Sequence, residues 1–221
     1  PFRNSYLDDA SGDRTGNYAY NTIRRAIDMV ADPEYVECNS MIMPGITESN
    51  LTKRLIDVCE DRADALAIID LPSGYTPYTE SSSTEVNRRG SVSAVVSSLK
   101  SRELDSSYGC AYYPWVQVRD VSSARRVWLP PSVIGLGVMG YSQAEAAVWF
   151  APAGFTRGGL SNQSPSRPGK AGLKVLNLRE RLTTSDRDKL YAQNVNPIAK
   201  FPAEGIVVFG QKTLQMTPSA L

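Results

Sequence analysis

Histidine is absent from all 221 residues of the chain. Its absence removes the side chain that most often acts as a general base or metal ligand near neutral pH, and it excludes Ser-His-Asp and Cys-His catalysis by this chain alone. Cysteine is scarce: Cys38, Cys59 and Cys110 are odd in number, far apart and without a Cys-x-x-Cys pair. We therefore expect three reduced, partly buried thiols in a protein made in a reducing compartment.

A charge of one sign and long apolar runs are missing as well. The 24 basic and 23 acidic side chains leave a net charge of +1, which gives no reason to expect nucleic acid or an anionic membrane as partner. Every apolar run is far shorter than the ~20 residues of a membrane span, and no signal peptide is visible. Because the chain starts at Pro1 and stops at Leu221, soon after an expected strand, we expect a fragment of a longer protein.

The first part of the chain alternates helix and strand patterns. Apolar residues at helical spacing predict helices near residues 23–30 and 51–59, and strands are expected at residues 36–43 and 65–71. The run at 65–71 is almost continuously apolar, as in a parallel strand buried on both faces. Residues 1–160 are therefore expected to form an α/β domain, with these strands central in a mixed, mostly parallel sheet flanked by helices.

The rest of the chain begins with a Ser/Thr-rich loop and a further helix, at residues 74–90 and 92–99. Residues 108–157 hold all three tryptophans and predict two short aromatic strands around a polar turn, then a small-residue helix from about Ser132. A second helix is expected to start at Ser142, because Glu145 completes a capping box. The Gly/Ser/Pro-rich residues 157–172 mark the expected domain boundary. A small α+β segment over residues 161–221 follows, with a strand, a helix and a strand expected at 173–178, 185–193 and 205–210.

Residues 135–140 form a literal G-x-G-x-x-G motif. A dinucleotide site requires a strand directly before the motif and an acid about 20 residues later. Here Pro130-Pro131-Ser132 precedes the motif, and position 160 is Leu. Close helix packing through small residues is the better explanation of these glycines.

Asp70 falls at the carboxyl end of an expected buried strand, where ligand sites of α/β sheets commonly lie. Its carboxylate could bind a metal or act as a base, or it could cap the turn at residues 72–74. The cap is favoured, because neither histidine nor clustered acids accompany Asp70. The alternative function is an α/β-fold hydrolase or small-ligand-binding enzyme that uses Asp70 at the strand ends.

Two further groups have both a structural and a chemical interpretation. Glycoside hydrolysis needs two carboxyl groups roughly 5 to 10 Å apart, but the acids near residue 60 alternate with Arg62 and indicate a solvated helix end: Glu60, Asp61 and Asp64. Four aromatic residues could stack on sugars or bases, although a packed hairpin, partly at a subunit interface, is favoured: Tyr112, Tyr113, Trp115 and Trp128.

Several motifs occur in a fixed order along the chain. Residues 112–115 read YYPW, residues 127–132 read VWLPPS, a small-residue helix follows, and residues 148–154 read VWFAPAG. Met-Pro-Gly and Asp-Leu-Pro follow the first two expected strands, and a degenerate L-x-G-G-x-D-G stands at residues 7–13. Residues 191–197 fit Y-x-x-x-V-N-P, and residues 205–213 fit G-x-x-x-x-G-x-x-T. Together these motifs resemble those of the tail sheath proteins of contractile phages and related injection machines, over most of the chain.

The resemblance implies a subtilisin-like fold without protease function over residues 1–160 and the truncated beginning of the C-terminal sheath domain over residues 161–221. It implies a structural, non-enzymatic subunit that polymerises helically around a tail tube and contracts to drive the tube through a cell envelope. Implied partners are other sheath subunits, the tube protein and the baseplate, without nucleic acid, membrane insertion, cofactor, metal or catalytic residues. The implied location is the virion tail, assembled in the host cytoplasm. Without the strand-donating terminal arms of the family, residues 1–221 alone are expected to be monomeric.

Overall fold

Two β-sheets organise the chain in the computed structural model, which describes residues 2–7, 16–147, 149–161 and 169–217. In chain order the elements are α1 (Asn4–Leu7), α2 (Tyr18–Met29), β1 (Ser40–Ile42), α3 (Ser49–Arg62), β2 (Leu66–Ile69), α4 (Val92–Lys100), β3 (Gly109–Tyr113), β4 (Val116–Arg119), β5 (Arg126–Leu129), α5 (Pro131–Glu145), β6 (Val175–Leu178), α6 (Thr184–Ala192), β7 (Val195–Phe201) and β8 (Gly205–Val208). The larger sheet has the order β1-β2-β3-β7-β8, and the smaller one β5-β4-β6.

The larger sheet confirms the expected mixed α/β class. Its first four strands are parallel, and β8 is antiparallel to β7. α3 connects β1 to β2, and α4 lies between β2 and β3 in the chain. The expected strand at 65–71 is present as β2, which lies inside the sheet between two parallel neighbours.

The strand expected at residues 36–43 is present only as β1, three residues long, and it lies at the sheet edge rather than in the centre. Residues before β1 belong to a turn in which the N–H groups of Tyr35 and Val36 both donate to the Asp32 carbonyl. The Val36 carbonyl in turn accepts from the Arg62 guanidinium at 2.9 Å. Backbone groups that bond within a turn and to a side chain cannot pair with a strand, so β1 starts later than its apolar pattern predicts.

β3 is the middle of the fold, and all five of its residues are buried. Neighbouring side chains of a strand point to opposite faces. Ala111 and Tyr113 accordingly belong to a core shared with α2, α3, α4 and α6. Cys110 and Tyr112 belong to a second core shared with α5, β4 and β6. The larger sheet is thus the central one of three layers.

β7 is a strand that the sequence patterns did not predict. It contains Pro197 and the fully buried Asn196, and its N-terminal end overlaps the Y-x-x-x-V-N-P motif expected to end a helix. The Asn196 side chain accepts from the Lys212 N–H at 2.7 Å and donates to the Lys212 carbonyl at 2.8 Å. β7 pairs with β3, so strands from both sides of residue 160 share one sheet. The division into two domains at that residue stays a prediction.

A single helix, α5, replaces the two helices expected after residue 132. Pro131 is the first residue of this helix. A backbone N–H at that position would have no acceptor within the helix, so the N–H that proline lacks costs no hydrogen bond. Ser142 lies in its last turn and donates its hydroxyl to the Phe150 carbonyl at 3.0 Å, so the prediction of a capping box at Ser142 was wrong. The helix, strand and hairpin expected at 185–193, 173–178 and around residues 120–124 are present as α6, β6 and β4–β5.

Three sequence features fall partly outside the described residues: positions 8–13 of the glycine-poor motif, Val148 of VWFAPAG and positions 162–168 of the Gly/Ser/Pro-rich boundary. Within the described residues, no helix is both long and apolar enough to cross a membrane.

All three cysteines are free, with Cys59 and Cys110 buried and Cys38 half-buried. Burial raises the pKa of Cys59 and of Cys110 to about 12. Because the thiolate is the reactive form, N-ethylmaleimide at neutral pH should label Cys38 first and the other two only after unfolding in guanidinium. Intact-mass and peptide mass spectrometry measure this. Labelling of Cys59 or Cys110 in the folded protein as fast as Cys38 would contradict the placement of these side chains.

Candidate functional site

Asp70 joins three elements at the carboxyl ends of the parallel strands. It follows β2 and is 1% exposed. Its Oδ2 atom accepts from the Gly45 N–H at 2.8 Å and from the Ser132 hydroxyl at 2.7 Å, and Oδ1 accepts from the Ser132 N–H at 3.0 Å. Burial raises the pKa of Asp70, while the hydrogen bonds from Gly45 and Ser132 act against that rise.

These contacts make Asp70 the cap of α5. The residue before that helix, Pro130, has no side chain that could accept a bond, and the first N–H groups of a helix have no partner within the helix. The carboxylate of Asp70, which directly follows β2, accepts the Ser132 N–H in place of a capping side chain at residue 130. It also accepts the Gly45 N–H in the turn after β1. The prediction that Asp70 caps the turn at residues 72–74 was therefore wrong, because its carboxylate caps α5 instead.

The same hydrogen bonds limit the reactions in which the Asp70 carboxylate could take part. Both oxygens accept hydrogen bonds inside the core, an arrangement that suits a structural carboxylate and leaves it without a face open to a substrate. In the described ranges, no three His, Cys, Asp or Glu side chains come together in a metal-binding group. The enzyme hypothesis assigned the chemistry to Asp70, and the structure gives this carboxylate a structural use.

The glycine motif at residues 135–140 serves helix packing. A Cβ atom on Gly135 would lie 2.7 Å from the Tyr112 ring, and one on Gly137 would lie 2.7 Å from the Ala171 carbonyl oxygen. At Gly140, a Cβ would meet no described atom within 4 Å. Two of the three glycines therefore let α5 approach β3 and the segment before β6, as the packing interpretation predicts.

The acids at the end of α3 do not converge on a site. Asp64 pairs with Arg62 at 2.8 Å, and Arg62 also donates to the carbonyls of Val30 and Val36. Glu60 and Asp61 are exposed. The latter two form the expected solvated helix end, whereas Arg62 fastens the turn before β1 to α3.

The four aromatic residues singled out from the sequence lie in three separate places. Tyr112 and Tyr113 point to opposite faces of β3, so they form no common platform with the tryptophans. Trp115 and Trp128 instead both contact Tyr75, with ring centroids 5.3 and 5.9 Å apart. Tyr75 belongs to the Ser/Thr-rich loop, whose composition gave no sign of this contact.

Arg179 completes the cluster around Tyr75. Its guanidinium lies 4.7 Å from the Tyr75 ring and 5.2 Å from the Trp128 ring, and it pairs with Glu85 at 2.6 Å. The Arg179 side chain is only 5% exposed, and cation–π contacts strengthen when the cation is shielded from water. The loop at residues 74–90 is thus docked on the smaller sheet rather than a plain linker.

Among the exposed large aromatic side chains, Trp149 and the phenylalanines beside the β7–β8 hairpin mark two parts of the described surface. Trp149 is 83% exposed and borders a cavity of about 330 Å³ between α5 and the amino ends of β1–β3. Phe155, Phe201 and Phe209 pack together beside the β7–β8 hairpin, with centroids 5.0 to 5.5 Å apart. Exposed aromatic residues are enriched at protein interfaces. The described surface therefore offers two aromatic patches that a partner could cover.

Comparison with known proteins gives a consistent result, although no protein-family model matches the chain. The chain is 25% identical over 209 residues to the tail sheath protein of Vibrio phage KVP40, and 24% identical over 210 residues to that of Enterobacteria phage T4. These alignments cover 88% and 89% of this chain but 29% of each relative, so the chain spans less than a third of their length.

The fold matches a solved sheath. Against the sheath complex of an extracellular contractile injection system, PVC, in the contracted state, the TM-score is 0.58 at 18% identity, over 84% of this chain and 42% of that chain. The resemblance to contractile tail sheath proteins seen in the sequence motifs is therefore confirmed.

Gly137 and Gly140 provide a matched pair for the packing of α5. Gly137→Ala should lower the free energy of unfolding by about 1–3 kcal/mol, because its methyl group meets a backbone carbonyl that cannot yield without moving the chain. Gly140→Ala in the same helix should raise it by about 0.5–1 kcal/mol, because alanine is the better helix former. Urea unfolding followed by circular dichroism measures both. Equal effects at the two positions would rule out the close approach.

Asp70→Ala should lower the free energy of unfolding by several kcal/mol. The substitution leaves the buried N–H and hydroxyl groups of Ser132 without an acceptor, at about 1–3 kcal/mol each, and it also removes the acceptor of the half-buried Gly45 N–H. Asp57→Ala is the control, because it removes only the exposed pair with Lys53, expected to contribute about 0–1 kcal/mol. Chemical unfolding of both variants is the measurement. An Asp70→Ala variant as stable as the control would show that Asp70 does not hold α5.

Proposed function

We propose that this chain is the folded body of a contractile tail sheath subunit, many copies of which stack helically around a tail tube. The observation that carries the proposal is that sequence and fold point the same way over most of the chain. Sequence similarity to relatives named tail sheath protein covers 88% of the chain, and the structural match to a sheath complex covers 84%.

The finer features of the fold follow from this proposal. The α/β body has the subtilisin-like topology of the family, and residues 161–221 begin its C-terminal domain, whose β7 and β8 extend the sheet of the body. The role is mechanical rather than enzymatic, with no catalytic, cofactor-binding or metal-binding residues. Asp70 as a helix cap and the glycine motif as a packing surface support this view, because each candidate for chemistry has a structural use.

The partners of the proposed subunit are other sheath subunits, the tail tube protein and the baseplate. The protein acts in the virion tail after assembly in the host cytoplasm, without nucleic acid or membrane insertion. An interface between unlike surfaces of identical subunits does not close on itself and builds a helix. A stretched lattice can then shorten when many subunits move to contacts of lower free energy, and the sum over subunits drives the tube.

The test compares the whole protein with residues 1–221. Negative-stain microscopy of the whole protein should show tubes of regular diameter. Residues 1–221 alone should sediment as one species near 24.2 kDa, because isolated contacts must first overcome roughly 4–15 kcal/mol of lost rigid-body freedom. A whole protein that never forms tubes or rings, with or without a tube protein, would refute the proposed function. Tubes from residues 1–221 would show that terminal arms are unnecessary.

A further inference from the structure

A groove with apolar walls and basic side chains opens beside the turn between β7 and β8. It has a volume of about 290 Å³. Leu178, Phe201 and Pro202 supply its apolar surface, and Arg181 and Lys200 supply two exposed cations. The described residues that line it include no acid. We call this surface the basic groove.

The Phe201 side chain continues the basic groove into a larger aromatic patch. Phe201 packs against Phe155 and Phe209, with ring centroids 5.0 and 5.2 Å away, and these two neighbours are 48% and 41% exposed. The Arg187 guanidinium lies 5.1 Å from the Phe201 ring. Exposed aromatic rings edged by three cations fit a partner segment that carries both an aromatic side chain and carboxylates.

The chain itself presents such a segment. Residues 32–37, Asp-Pro-Glu-Tyr-Val-Glu, connect α2 to β1, and we call them the acidic turn. Tyr35 is 78% exposed, and Glu34 and Glu37 on either side of it are also exposed. No ion pair within the described part of the chain engages either glutamate.

The acidic turn is held in shape before any partner arrives. The Asp32 side chain accepts from the Glu34 N–H at 2.9 Å, and the Val36 carbonyl accepts from Arg62 at 2.9 Å. A segment that is already ordered loses less entropy when it binds. This favours the acidic turn as a ligand over an unstructured run of the same composition.

The part of the chain that contains the acidic turn is acidic overall, and the part that contains the basic groove is basic overall. Residues 17–70 hold ten acidic and five basic side chains, whereas residues 108–217 hold 13 basic and six acidic ones. The near-neutral total therefore conceals an acidic part and a basic part. Opposite potentials on two surfaces steer their encounter and fix their register.

The sheet places the two surfaces at opposite corners of the molecule. The acidic turn precedes β1, at one edge and at the amino end of the parallel strands, whereas the basic groove lies past the carboxyl end of β7, towards the other edge. One copy therefore cannot bring its own two surfaces together. A contact between two copies leaves one surface of each kind free, so it repeats head to tail.

We propose that the acidic turn of one copy docks into the basic groove of the next copy. Tyr35 then lies against Phe201 and Pro202, with Glu34 and Glu37 beside Arg181 and Lys200. This inference rests on the proposed sheath function and adds the surfaces through which neighbouring subunits recognise each other.

Charge reversal in the whole protein tests the pairing. One variant combines Arg181→Glu with Lys200→Glu, and the other combines Glu34→Lys with Glu37→Lys. Each should lower the yield of tubes by at least about tenfold, because like charges across an interface repel. Mixing the two variants in equal amounts should restore tubes of alternating copies, because each variant's turn then meets a groove of opposite charge on the other variant. All four changes in one chain should likewise return the yield to within about threefold of the unmodified protein.

Two matched reversals show whether the effect is specific. Arg125→Glu with Arg126→Glu alters two exposed arginines at the β4–β5 turn, and Glu60→Lys with Asp61→Lys alters two exposed acids of α3. Both should leave the yield of tubes unchanged. Thermal unfolding of every variant separates a lost contact from a lost fold.

The outcomes distinguish the docking contact from the sheath proposal itself. If the unmodified protein forms tubes and either reversal leaves their yield unchanged, the contact is wrong and the sheath function stands. If the fourfold variant folds but does not recover, the two surfaces do not pair with each other. If the groove reversal blocks assembly only when tube protein is present, the groove binds the tube and the proposed contact is overturned. An unmodified protein that never assembles refutes both proposals.

Discussion

The burial of β3 on both faces is the constraint on which the rest of the structure depends. Its backbone N–H and C=O groups lie away from water, so β2 and β7 must pair with both of its edges. Its side chains need an apolar cover on each side, which the helices of one layer and α5 with the smaller sheet of the other supply. The order of the strands and the presence of three layers both follow from this requirement.

The packing of α5 over β3 determines the role of Asp70 at the ends of the strands. A helix that lies against β3 as closely as Gly135 allows cannot expose its first turn to water, so its N–H groups need a buried acceptor. Asp70 meets that need and also joins the turn after β1 to the helix. A carboxylate at the strand ends of an α/β sheet therefore need not indicate catalysis, because here the same position solves a problem of packing.

Features with a local signal could be predicted from the sequence. The apolar run of β2 and the short helix expected at 185–193 depend on residues within a few positions of each other. β7 could not be predicted, because its buried Asn196 is satisfied by the backbone of Lys212, 16 residues away. The role of Asp70 depends on hydrogen-bond partners that are 25 and 62 residues away in the sequence. Tyr75 contacts Trp115 and Trp128 only because its loop packs on the smaller sheet. The family resemblance indicated the role that is proposed for the chain, whereas the positions of the exposed aromatic and charged surfaces became visible only in the fold.

The proposed sheath role requires a body that transmits force while its surfaces exchange partners, so the continuity of the larger sheet across residue 160 bears directly on that proposal. Native-state hydrogen exchange, measured as a function of denaturant, tests this continuity most directly, because it reports the free energy at which each strand opens. If the sheet is one body, the amides of β2, β3 and β7 should exchange through the same global opening. Exchange of β7 and β8 through a separate opening of much lower free energy, with β2 and β3 still protected, would contradict it.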